Sequence, residues 1–158
     1  MIITWAGGQN FTIKTRGLNV LLGDKVKLDD LEITEPGEYE VGGVQLDVVD
    51  GINQLYLEGM NVGHIKKGKI LSDEEMQKLN GINILLIGVG GGAFSETKTA
   101  LELISQIDPG VVVPMHDGNL DEFIKEEEGN TEGQDELKII KADLPQDARK
   151  VVVLNVNK

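Results

Sequence analysis

His64 and His116 are the two histidines of the chain, and there is no cysteine. Thiol catalysis, disulfide frameworks and thiolate metal sites are thereby excluded. Any transition-metal site would have to be carboxylate-rich or sparse. His64 closes the stretch Asn61–Ile65, with Lys66, Lys67 and Lys69 close behind, and His116 follows Val111-Val112-Val113-Pro114-Met115. Both fall at the ends of expected strands, where α/β folds place their sites, so the two can meet in one crevice. Two histidines do not make a catalytic zinc site, which takes three protein ligands. Asp117 is the candidate third ligand, while the neighbouring lysines oppose a cation. The plainer reading makes each histidine a hydrogen-bonded structural residue.

A second constellation is the glycine turn. Gly88-Val89-Gly90-Gly91-Gly92-Ala93 fits G-x-G-x-x-A between an apolar run and a helical pattern. Glycines there let a pyrophosphate approach a helix N-terminus, and Asp117 follows the next strand as an acidic residue would. A dinucleotide fold would continue with further strand–helix repeats, and this chain has one crossover followed by an acidic segment. The structural alternative is a tight turn with close helix–sheet packing. Ser95 and Ser105 lack a G-x-S-x-G context, and Ser95 is expected to cap a helix.

The elements that must position these groups come in two kinds. The first half reads as short strands: Phe11–Thr15, Val20–Leu22, Glu38–Val41, Val44–Val48, Leu55–Leu57 and Asn61–Ile65. Gly42-Gly43 is a two-residue hairpin signal. Ser72 and Glu75 form a capping box that opens a short helix, with Asn80-Gly81 as its stop. Ile82–Val89 is a fully apolar strand, and a helix from Ser95 to Ile107 leads to the buried strand Val111–Val113. Such a unit implies parallel neighbours with a right-handed crossover. Asn119–Glu128 is an expected helix, 129–136 an expected loop, and Leu137–Lys141 and Lys150–Val156 expected strands.

Composition bounds the rest. The 158 residues suit one domain, 1–158, with a core that needs no staples. With 27 acidic and 15 basic residues the net charge is −12, so phosphate backbones and anionic lipid are repelled. No nucleic-acid or membrane partner is expected, whereas a homo-oligomer or a protein partner remains open. The acidic 119–136 segment reads as a solvated helix and loop, or else as a cation- or partner-binding patch. No apolar run approaches the roughly 18 residues of a membrane span, and the N-terminus lacks the pattern of a signal peptide, so a cytoplasmic location is expected.

Several segments, in order along nearly the whole chain, resemble the metallo-β-lactamase superfamily. The branch they resemble is that of Zn-dependent hydrolases akin to the ascorbate-phosphate lactonases. Trp5-Ala6-Gly7-Gly8-Gln9-Asn10-Phe11 is similar to its opening W-x-G-H-[SA]-x-F. Glu35–Val44 resembles the G-P-G-E-Y-E-[VI]-x-G-V hairpin, and Leu71–Glu74 the helix start L-[ST]-[DE]-E. Ile84–Gly92 resembles L-L-[LI]-P-V-G-G-G, and Ile107–His116 the I-x-P-x-x-x-[IV]-P-M-H element. The resemblance implies a shortened α/β fold of four layers, an αββα sandwich.

The resemblance also shows what is missing. The metal signature H-x-H-x-D-H is absent, and its segment is shortened to Leu22–Leu31. Gly8 stands where the opening motif has histidine. Lys67 falls at the family's bridging aspartate, and of the implied ligands only His116 has a direct counterpart. Without that cluster no metal-bound hydroxide can form. The expectation is a degenerate, non-catalytic domain with no assigned catalytic or metal residue, acting as a binding or assembly module. His116, His64, Lys67 and Asp117 would be its relic site. One alternative is a hydrolase rebuilt around His116, with zinc as its cofactor. Another is a small-anion or nucleotide site formed by Lys66 and the turn Gly90, Gly91 and Gly92.

Overall fold

The structure is a computed structural model. It describes the whole chain except Asp50, Asn80, Glu128, Asn130, Thr131 and Lys158. The expected helix stop at Asn80, helix end at Glu128 and loop residues Asn130 and Thr131 therefore lie outside the described residues.

Alternating apolar residues build the first sheet. Strands β1 (Ile2–Trp5), β2 (Phe11–Thr15), β3 (Leu18–Leu22), β4 (Val26–Leu28) and β5 (Leu31–Ile33) form an antiparallel meander. Ile3, Trp5, Phe11, Ile13, Val20, Leu22 and Leu28 point inward and are buried. This period-two pattern suits a sheet with one wet face. A two-residue strand, Leu137–Lys138, completes its edge beside β1 and is numbered β12 after the strands below.

The second sheet begins with the meander β6 (Gly37–Val41), β7 (Val44–Val49), β8 (Ile52–Leu57) and β9 (Met60–Ile65). Gly42 and Gly43 join β6 to β7 with φ of 58° and 83°, the two positive values that a type I′ hairpin turn requires. The sheet continues in parallel with β10 (Ile84–Gly88), β11 (Val111–Met115) and β13 (Lys150–Val151). Its order is β13-β11-β10-β9-β8-β7-β6. Every residue of β10 and β11 is buried, as their unbroken apolar runs require for strands covered on both faces.

Helix α1 (Asp73–Gln77) opens with the expected capping box, and α2 (Thr97–Ile107) bridges β10 and β11 as expected. Its N-cap is Glu96, with no side-chain cap. Ser95 is not the cap, because its Oγ accepts from the Gly68 N–H at 2.9 Å. Helix α3 (Asp121–Glu127) buries Phe123 and Ile124.

All three helices pack on the outer face of the second sheet, against Ile65, Leu85, Ile87 and Val112. A separate core of Ile3, Phe11, Leu46, Leu55, Val62, Leu86 and Val113 lies between the sheets. The sandwich is shortened in a specific way. Among the described residues no α-helix lies over the first sheet, and the helices of the other layer pack against the β9–β11 half of the second. No helix there is long and apolar enough to cross a membrane.

Candidate functional site

The parallel register decides where the site residues gather. Ile65 pairs with Ile87, and Gly88 with Met115, so β9, β10 and β11 end level. Lys66 and Lys67, the Gly90–Gly92 turn and His116 therefore leave the sheet at one end. The β1–β2 loop, Ala6–Asn10, joins them there through Gln9, and the Gly23–Lys25 turn through Asn10.

His64 faces the space between the sheets and is 3 % exposed. Its Nε2–H donates to the Gln9 carbonyl at 2.8 Å, and its Nδ1 accepts from the Asn53 amide at 3.1 Å. A carbonyl can only accept, so the proton sits on Nε2 and the ring is neutral. Burial drives its pKa down from 6.5 to about 4, with the bond to Gln9 opposing the shift. Both nitrogens are committed to protein partners, which leaves no lone pair for a metal.

His116 is half-buried. The Gly118 N–H donates to its Nδ1 at 3.1 Å, and burial lowers its pKa while Asp117 raises it. Its Nε2 has no hydrogen-bond partner among the described residues. The Trp5 ring lies 5.1 Å from the His116 ring, centroid to centroid, and 6.4 Å from Phe11, which is 5.9 Å from His64. The ring contacts thus run His116–Trp5–Phe11–His64. Two aromatic rings stand between the imidazoles, and the shared crevice brings the histidines to one end of the sheet without turning them toward one ion.

The charged groups are engaged as well. Gln9 donates to Asp24 Oδ1 at 2.8 Å, Asn10 donates to Oδ2 at 3.1 Å, and the Asp24 N–H donates to Asn10 Oδ1 at 2.9 Å. These amides, with a smaller contribution from the Lys66 charge, hold the Asp24 carboxyl below its ordinary value. Lys67 Nζ donates to the Gly92 carbonyl at 3.2 Å. In the turn itself Gly90, Gly91 and Gly92 all have positive φ, and Asn119 donates to the Gly90 carbonyl at 3.1 Å. The Glu96 carboxylate lies over Gly91, with both oxygens 3.2 Å from where a Cβ would stand. An anion of the chain's own already rests against that turn.

A zinc ion needs converging lone pairs. Among the described residues no three His, Cys, Asp or Glu side chains converge so as to hold one. Only His116 Nε2 offers a free imidazole nitrogen, and the candidate third ligand, Asp117, is exposed beside it. The donor set does not fit the metal that the sequence resemblance implies.

Sequence reasoning placed His64, His116, Lys66, Lys67 and the glycine turn at one end of the sheet. It missed Asp24, Gln9, Asn10, Asn53 and Glu96. A signal existed for Gln9 and Asn10, two amides directly behind Gly8 in the opening motif. Asp24 could be found only through the fold.

The comparisons agree with this architecture. The Beta-lactamase superfamily domain profile matches residues 23–116. The structure is similar to that of a protein from Thermotoga maritima assigned as a Zn-dependent hydrolase of the metallo-beta-lactamase superfamily. The TM-score is 0.77 and the identity 22%, over 98% of this chain and 100% of that one. It is also similar to Igni18, a metallo hydrolase from Ignicoccus hospitalis, with TM-score 0.68 and 14% identity over 99% and 96% of the two chains. A metal-dependent hydrolase assigned in Parabacteroides distasonis follows, with TM-score 0.51 and 12% identity over 94% and 99%. These likenesses establish the fold. The profile covers more than half of the residues, including the hairpin, the parallel strands β9, β10 and β11 and the P-M-H element, and on that ground the chain belongs to the metallo-β-lactamase superfamily.

Proposed function

We propose that residues 1–158 form one degenerate metallo-β-lactamase-like domain that no longer hydrolyses a substrate and serves as a cytoplasmic binding or assembly module. One observation carries this reading: Asp24, Lys67 and His64, three of the polar side chains at the crevice, are bonded to other groups of the chain. Asp24 is held by Gln9 and Asn10, Lys67 by the Gly92 carbonyl, and His64 by Gln9 and Asn53. Hydrolysis by a bound metal takes a ligand cluster with one open position, so that water loses its proton near neutral pH. In the sequence resemblance Lys67 falls at the bridging aspartate, and a positive charge there disfavours a divalent cation.

The rebuilt hydrolase around His116, His64 and Asp117 has one feature in its favour, the unpartnered His116 Nε2. The small-anion reading, through Lys66 and Gly90–Gly92, has the Glu96 carboxylate against it. An assay with lactone and phosphodiester substrates in the presence of zinc separates the readings. The module reading expects turnover equal to that of a protein-free control. Metal-dependent turnover that His116→Ala abolishes would overturn it and install the rebuilt hydrolase.

A further inference from the structure

Two sheet faces of this sandwich lack helical cover among the described residues, and they carry opposite charge. The first is the outer face of the six-stranded sheet. Alternation along β12, β2 and β4 puts Lys138, Lys14 and Lys27 on it, opposite to the side where Leu137, Ile13 and Leu28 are buried. Leu21, 37% exposed, stands beside Lys27, and Glu32 is the one acid in the same row. Three lysines and one glutamate reverse the local sign in a chain of net charge −12.

The second face is the outer side of β6–β8, which α1 borders at Val49, Ile52 and Gln54 and which is otherwise without a helix among the described residues. Glu38, Glu40 and Asp47 lie on it, with Tyr56 45% exposed among them. Glu38 and Asp47 are direct cross-strand partners, an arrangement in which like charges repel. None of the three acids has an ion-pair partner among the described residues. The face is hollow: three adjoining concavities meet at Asp47, and one of them runs on to α1, where Val49, Leu79 and the charged Glu75 and Lys78 line it, so the unopposed acids are those of the β6–β7 part.

We propose that these faces are complementary, and that a second copy of this chain stacks its lysine-bearing sheet on the acidic hollow of the first. The two surfaces differ, so the contact is head to tail and generates a ring or an open stack rather than a two-fold dimer. This inference deepens the assembly reading by naming the partner. It is tested by mass and not by metal, so either can fail while the other stands. Repulsion between whole molecules of charge −12 acts over the Debye length, whereas lysine–carboxylate contacts act over a few ångströms. Association should therefore be strongest near about 0.1–0.15 M salt, where that length is about 8–10 Å, and be lost toward about 1 M.

Sedimentation velocity of the whole chain tests the proposal. In about 0.15 M salt the weight-average mass should rise with concentration to at least about twice the 17.2 kDa of one chain. The double variants Lys14→Glu/Lys27→Glu and Glu38→Lys/Asp47→Lys should each stay near monomer mass. Mixing them should restore association, because each supplies the sign the other lost. Circular dichroism accompanies each variant, and the milder Lys14→Gln and Glu38→Gln replace any reversal that fails to fold. A wild type that stays monomeric throughout overturns the proposal. So does association that survives either reversal, or variants that fail to recover on mixing.

Discussion

Acidification should loosen this protein through His64 in a way that removing the histidine abolishes. The ring is buried and neutral, with its Nε2–H on the Gln9 carbonyl and its Nδ1 on Asn53. The folded state holds its pKa at about 4, below the ordinary 6.5. Between those values the unfolded chain binds a proton that the folded chain refuses, so stability falls as pH drops from about 6.5 and levels off below about 4. The gap corresponds to about 3 kcal/mol. Asp24, Glu58 and Glu75, whose pKa values are lowered by their partners, also lose stability in acid, so the wild type alone cannot isolate His64. The comparison with His64→Gln does. That variant should lose about 1–3 kcal/mol at pH 7, where a buried carbonyl and amide lose a well-placed partner. It should then converge on the wild type toward pH 4. Urea unfolding at several pH values measures the difference. Ring NMR provides the direct check, since the chain has only two histidines and His116→Ala assigns both. His64 titrating near 6.5, or a constant stability difference between pH 7 and pH 4, would refute the reasoning.

Three further perturbations address the scaffold. Gly42→Val and Gly43→Val should each cost about 1–2 kcal/mol in urea unfolding, because both residues sit at positive φ in the hairpin turn. Gly88→Ala should cost about 3 kcal/mol, read as the shift in denaturation midpoint. Its Cβ would fall on the Lys66 carbonyl oxygen and within 2.8 Å of the Phe94 ring, at the point where the strand ends come together. Arg149→Met should cost about 1–2 kcal/mol and speed hydrogen exchange at the end of α2. The guanidinium ties the Pro109 carbonyl, Asp108 and Glu127 to the start of β13.

Much of the scaffold was legible because short-range rules dictate it. The Gly42-Gly43 hairpin and the Ser72–Glu75 box follow from residues within a few positions of one another, and the β10–α2–β11 crossover from the local patterns of three consecutive segments. Strands β4 and β5 were not legible. They are three residues each, separated by Asp29 and Asp30; β4 is held by pairing with β3, and β5 only by pairing with β4. The closing strands are shorter than the expected Leu137–Lys141 and Lys150–Val156. Only Leu137–Lys138 and Lys150–Val151 pair as strands, and beyond them the chain makes isolated bridges at Gln134–Leu154 and Trp5–Val156. A serine before a helical pattern favours the cap role, which is what the sequence predicts for Ser95. Its tertiary partner, the Gly68 N–H, won instead. In the site, sequence could place both histidines at strand ends but could not supply the rings of Trp5 and Phe11 that stand between them. Nor could it show that Asp24, remote from Gln9 and Asn10 along the chain, folds back to accept from both.

The central claim is that the crevice has exchanged metal ligation for bonds within the chain. Elemental analysis tests it most directly, on protein purified without a metal-affinity tag and then dialysed against zinc and against zinc-free buffer. Lys67→Asp is carried alongside, because restoring the one aspartate leaves the rest of the ligand cluster absent. The account predicts well under one zinc per chain for both proteins, with no difference between wild type and His116→Ala. One zinc per chain in the wild type, lost on His116→Ala, would contradict it.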